Sequence, residues 1–137
     1  MKHVIFACVH SAGRSQMAAA WFNALVHPAK ARAIAAGTQP AAHVHPIVIE
    51  AMHEVGIDLR PPRATPTLLT GHLIDEASML VTMGCGEQCP VTPAHIQRCD
   101  WAFDDPKGKP LHEVRIIRDR IRDHVEHLVT THGWLSS

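Results

Sequence analysis

The apolar positions of this chain alternate between two rhythms from one end to the other. Residues 3–7, His-Val-Ile-Phe-Ala, form a near-continuous apolar run, the pattern of a strand buried on both faces. Met17, Trp21 and Leu25 then recur at helical spacing. Residues 32–36 read as a second short strand, closed by Gly37. Between Pro46 and Val55, residues Ile47, Val48, Ala51, Met52 and Val55 repeat as one helix face, with Pro46 suited to the first turn and Gly56 to the stop. A further helix is expected over 67–76, a third buried strand over 79–83, and a fourth at 101–103 with its upstream neighbours. The last segment is the clearest. Leu111, Val114, Ile117, Ile121, Val125 and Leu128 make one stripe, and Arg, Asp and Glu fill the opposite face.

Strands alternating with helices imply right-handed crossovers and an α/β fold, a parallel sheet flanked by helices on both faces. Parallel strands deliver their C-terminal ends to one rim, where ligands bind. Cys8 ends the first strand, Cys85 follows the third and Asp105 follows the fourth, so all three are expected on that rim. With 137 residues and neither repeat nor linker, residues 1–137 read as a single domain.

Charge narrows the partners. The 13 Lys+Arg balance 13 Asp+Glu, which argues against a dedicated nucleic-acid binder. The longest apolar runs, Val4–Val9 and Met17–Phe22, are far shorter than the roughly 18 residues of a membrane span. The same shortness, with Arg14 between the two runs, argues against a secretory leader. The expected setting is therefore the reducing cytoplasm. There, four Cys point to thiol chemistry, a metal or plain core rather than a static disulfide framework.

The segment Cys8-Val9-His10-Ser11-Ala12-Gly13-Arg14-Ser15 lies between the first strand and the first helix. A loop turning there aims successive backbone N–H groups inward, and the helix N-terminus adds positive partial charge. Such a nest holds a tetrahedral oxyanion. Arg14 can grip two of its oxygens with a planar fork, the field favours a thiolate at Cys8, and Ser15 can donate to that sulfur. The Cys-x5-Arg spacing alone is a weak signal; the strand behind it and the helix ahead of it give it weight.

Cys8-x5-Arg14-Ser15-Gln16-Met17-Ala18 resembles the anion loop of the low-molecular-weight protein tyrosine phosphatase superfamily, and its Arg-Ser-Gln-Met-Ala continuation resembles the arsenate reductase branch. Val81-Thr-Met-Gly-Cys85-Gly-Glu-Gln-Cys89-Pro90 and Trp101-Ala-Phe-Asp-Asp105-Pro106 agree with it. The resemblance runs over essentially the whole chain. It implies a four-stranded parallel sheet with flanking helices, Cys8 as nucleophile, Arg14 as oxyanion binder and Asp105 as general acid. It further implies reduction of arsenate to arsenite, with Cys85 and Cys89 as a disulfide relay and thioredoxin as electron donor. Branches of this family use mycothiol with a glutaredoxin-like protein instead. No metal or organic cofactor is implied.

Two features depart from the family pattern. Ser11 stands where the superfamily usually has an Asn that holds the loop's strained backbone, so a looser loop or a different local hydrogen bond is expected. Lys107-Gly108-Lys109, not aromatic residues, follow Pro106, and the chain has no Tyr, which disfavours phosphotyrosine as substrate. Glycines on both sides of Cys85 leave its backbone free to rearrange toward Cys89. Two other readings stand beside the reductase. One is a phosphomonoesterase using only Cys8, Arg14 and Asp105. The other is a binding module stapled by zinc on Cys85, Cys89, His95 and Cys99, whose central spacing is short for such a site. Cys99 reads as a core or surface thiol, Asp104 as an exposed acid, and Arg60, Arg63 and the pairs His43/His45 and His124/His127 as solvated.

Overall fold

A computed structural model describes residues 1–84 and 92–136. In chain order the elements are β1 (Lys2–Cys8), α1 (Arg14–Leu25), β2 (Ala31–Gly37), α2 (Pro46–His53), α3 (Gly71–Glu76), β3 (Met79–Thr82), β4 (Gln97–Asp100) and α4 (Leu111–Thr131). The four strands form one parallel sheet in the order β2-β1-β3-β4, with Cys8 level with Gly37 and Ala7 level with Thr82. Both central strands are sheathed on two sides, as their apolar runs require.

Alternation along β1 divides the core. Val4, Phe6 and Cys8 join the larger cluster with Met17, Phe22, Val48, Met52, Ile117, Ile121 and Val125; Ile5 and Ala7 join the smaller one with Ala36, Ile74, Leu80 and Ile96. Phe6 sits between Phe22 and Trp101, with ring centroids 5.8 and 5.7 Å away. The α4 stripe buries Val114, Ile117, Ile121, Val125 and Leu128 against this face, each contributing about 1.5–3 kcal/mol on complete burial. Arg118 ties α4 to α2 by donating to Ala51 O (2.8 Å) and Glu54 (3.0 Å), and Arg115 grips the same carboxylate at 2.6 and 2.9 Å. Among the described residues, no helix is long and apolar enough to cross a membrane.

Two boundaries differ from the pattern-based expectation. The fourth strand is residues 97–100; Trp101 N still donates to Thr82 O of β3 at 2.8 Å, and residues 102–103 continue past the strand's end. The aromatic rings of Trp101 and Phe103 pack against the core from beyond the strand: Trp101 packs on Phe6, and Phe103 on His124. The helix expected over 67–76 begins only at Gly71, because Thr70 caps it by accepting from Leu73 N at 3.2 Å.

Candidate active site

Cys8 closes β1 and is buried at the sheet's C-terminal rim, 3% exposed. The loop that follows is held by its carbonyls. Val9 O accepts from Gln39 N (2.8 Å), His10 O from Ala41 N (2.9 Å), Ala12 O from His45 N (2.9 Å), and Ser11 O from Gln16 Nε2 (2.9 Å). In a trans peptide the N–H points opposite to the C=O, so anchoring four successive carbonyls outward aims the N–H groups of residues 10–13 the other way. Four such donors beside the start of α1, where Gly13 offers no capping side chain, are the makings of an anion nest.

Ser11 takes φ +51°, the left-handed region, which costs a non-glycine residue about 1 kcal/mol or more. It is fully buried, and its hydroxyl meets Gln16 Nε2 at 3.3 Å and Ser15 Oγ at 3.4 Å. Ser15 in turn lies 3.1 Å from the Cys8 sulfur. Hydroxyls at 11 and 15 therefore connect the turn of the loop to the thiol. The expectation of a different local hydrogen bond in place of the usual Asn describes this arrangement; the expectation of a looser loop finds no support in a residue so enclosed.

Arg14 and Asp105 meet over the loop. Arg14 donates to Phe103 O at 3.0 Å, and its Nη2 stands 3.9 Å from Asp105 Oδ2. The other carboxylate oxygen, Oδ1, accepts from Lys107 N at 3.0 Å. Pro106 is buried against Gly13, where an added Cβ would lie only 2.7 Å from the proline Cγ, so the absence of a side chain at position 13 admits the Asp105–Pro106 turn. Asp104 is exposed, as expected.

The rim thus gathers Cys8, residues 9–13, Arg14, Ser15 and Asp105, as their order along the chain implies. Cys85 and Cys89 lie outside the described residues, although β3 runs toward the site: Gly84, two residues past its end, abuts the Arg14 guanidinium. Cys99 is half-buried on β4, level with Val81 and two strands from β1. Two strand spacings of about 4.8 Å exceed the Cα separation a disulfide tolerates, so Cys99 cannot reach Cys8 in this arrangement. Burial and the neighbouring Asp100 push its thiol upward, away from nucleophilic character. Among the described residues, no group of three or more His, Cys, Asp or Glu is placed to hold a metal ion.

His45 corrects an expectation. Read as solvated, it is half-buried beside the loop, its backbone anchoring Ala12 and its ring next to Gly13. Burial lowers its pKa; Asp105 pulls it upward, while Lys107 and His10 add to the lowering. His43, Arg60 and Arg63 are exposed, and both arginines pair with Asp58. His124 and His127 are exposed on α4, with the His124 ring packed against Trp101 and Phe103. Sequence reasoning named Gln16 only within the Arg-Ser-Gln-Met-Ala motif and gave it no role of its own. A polar residue directly before the apolar Met17–Phe22 run, on the same helix, was the available signal.

A buried thiol beside a loop whose carbonyls are bonded away from it, with an Arg fork and a carboxylate at hand, is an arrangement suited to binding a tetrahedral oxyanion. The model for low molecular weight phosphotyrosine protein phosphatase matches residues 3–133. The chain belongs to that family. An arsenate reductase of Bacillus cereus (strain G9842) is 35% identical over 133 residues, covering 95% of this chain and 96% of that protein. The solved structure of a thioredoxin-dependent arsenate reductase from Corynebacterium glutamicum superposes with a TM-score of 0.80 at 31% identity. It covers 96% of this chain, which spans 61% of that longer one. An arginine phosphatase from Geobacillus stearothermophilus, 21% identical, shares the fold with a TM-score of 0.82, over 97% of this chain and 94% of its own. The phosphatase fold and the four-stranded parallel sheet expected from the sequence are therefore both present.

Proposed function

We propose that this member of the phosphatase family reduces arsenate to arsenite. One observation carries the reading: Cys8 lies buried under a loop whose four carbonyls are anchored outward, with Arg14 and Asp105 joined above it. Full-length relatives named arsenate reductases supply the substrate class.

In this mechanism arsenate enters the nest, where N–H donors and the Arg14 fork neutralise its charge. The Cys8 thiolate, with Ser15 donating to sulfur, attacks arsenic while Asp105 delivers a proton to the departing oxygen, which leaves as water. Cys85 then attacks the sulfur of Cys8. The S–As bond breaks, its electron pair passes to arsenic, and As(V) leaves as As(III). The two electrons come from the Cys8 and Cys85 sulfurs, which are oxidised to the Cys8–Cys85 disulfide as arsenic is reduced. Cys89 attacks Cys85, freeing Cys8 and leaving Cys85–Cys89 for an external dithiol to reduce. Thioredoxin is the proposed dithiol, in the cytoplasm; mycothiol with a glutaredoxin-like protein is the alternative donor.

The test is arsenate-dependent consumption of reducing equivalents, run with thioredoxin and its reductase and in parallel with mycothiol and a glutaredoxin-like protein. Consumption with thioredoxin supports the reading. Steady aryl-phosphate turnover with no arsenate-dependent consumption in either arm replaces it with a phosphomonoesterase, for which Cys8, Arg14 and Asp105 suffice.

A further inference from the structure

Of the four loop carbonyls anchored outward, those of Val9, His10 and Ala12 are held by backbone N–H groups of residues 39, 41 and 45. The fourth belongs to Ser11, the residue at positive φ, and a side chain holds it. Gln16 Nε2 donates to Ser11 O at 2.9 Å, approaches Ser11 Oγ at 3.3 Å and reaches Thr65 O at 3.4 Å. Gln16 is 6% exposed and sits in the first turn of α1, a rigid base for these contacts. Its amide thus links three bodies: the helix, the strained residue of the loop and the segment that precedes α3.

We propose that Gln16 is a positioning residue of the oxyanion loop. By holding Ser11 in the left-handed conformation it sets the direction of the Ala12 N–H, one of the donors that meet the anion, and keeps the Ser11 hydroxyl within reach of Ser15 beneath Cys8. Serine lacks the self-sufficient preference of Asn for this conformation, so an external clamp does the work that a residue at home in that region would do alone. The proposal rests on the reading of residues 8–15 as an oxyanion site and deepens it.

The experiment uses inorganic phosphate and the intact chain. Cys8 is alkylated with iodoacetamide, identified by peptide mass mapping, and the phosphate concentration giving half-protection is measured. Gln16→Met keeps the side chain's length and removes its donors, leaving a buried carbonyl unsatisfied. It is expected to raise the half-protecting phosphate concentration about tenfold. Adding Ser11→Asn to Gln16→Met is expected to restore most of that loss, because Asn holds the conformation itself. Unchanged protection in Gln16→Met overturns the proposal; so does a loss that Ser11→Asn leaves unrepaired. If Gln16→Met does not fold alone, recovery of folding and protection in the double variant supports the clamp, and failure there overturns it. Absence of arsenate turnover in the parent would remove the reductase reading while leaving this measurement intact.

Discussion

Arg14 Nη2 and Asp105 Oδ2 stand 3.9 Å apart, at the outer limit of an ion pair, with the Asp105 side chain 45% exposed. So long and open a pair contributes little to stability. In the proposed mechanism the Arg14 fork takes the oxyanion and Asp105 protonates the departing oxygen. Asp105→Asn is therefore expected to lower arsenate turnover by roughly 10²–10⁴-fold, the usual worth of a general acid, while phosphate protection of Cys8 stays within a few fold. Asp104→Asn, on the neighbouring exposed residue, is expected to leave turnover near that of the parent. Equal losses from both substitutions would assign the effect to loop charge.

Gly84 gives a second handle on Arg14. It takes φ +97°, and an added Cβ would overlap the Arg14 Nη1 atom. Gly84→Ala should push the guanidinium off the loop and strain the backbone, raising the half-protecting phosphate concentration by about tenfold or more. Gly133→Ala also substitutes a glycine at positive φ, but with open space around it, and serves as the control for strain alone. Comparable weakening in both would detach the effect from Arg14.

The sheet and the rim that gathers the site were legible in the sequence. The placement of Cys8, Arg14 and Asp105 on one rim follows from strand ends, which are written along the chain, whereas the roles expected of them came from the family resemblance. The fourth strand was displaced because β4 is an edge: Gln97, Arg98 and Asp100 are exposed polar residues, whereas the aromatics that suggested a strand serve core packing just beyond it. Gln16 and His45 were hidden for another reason. What makes them part of the site is contact with Ser11, Thr65 and Ala12, and two of these three pairings bring together residues more than thirty positions apart. Periodicity does not encode such pairings.

Acid stability has an identifiable contributor at the α2–α4 junction. The hydrogen bond from Arg115, joined by that from Arg118 and by the charges of both, brings the Glu54 pKa down from 4.5 to about 2 against the opposing effect of desolvation. A carboxylate with a depressed folded-state pKa stabilises the fold fully above its unfolded value and loses that contribution as pH falls toward the folded one. Glu54→Gln should lower the urea midpoint at pH 7, and its difference from the parent should shrink between pH 4.5 and pH 2. A constant difference across that window would trace the loss to packing, not to ionisation.

The cysteines decide between reductase and phosphatase. An oxyanion loop with Cys8, Arg14 and Asp105 is enough to cleave a phosphate ester, because water can resolve a phosphocysteine. Repeated reduction of arsenate needs two electrons per turnover, and Cys99, two strands away on β4 with its thiol pushed upward, is badly placed to supply them. Cys85 and Cys89, the relay proposed above, are the pair to test. Cys85→Ser should abolish thioredoxin-coupled arsenate turnover while keeping whatever aryl-phosphatase activity the parent has. Cys89→Ser should also stop sustained turnover, but after one round it should accumulate a Cys8–Cys85 disulfide visible by peptide mass mapping. Cys99→Ser should cycle like the parent. If Cys85→Ser still cycles arsenate with thioredoxin, the relay is wrong. If it cycles only with mycothiol, a low-molecular-weight thiol meets Cys8 directly and Cys85 is a bystander.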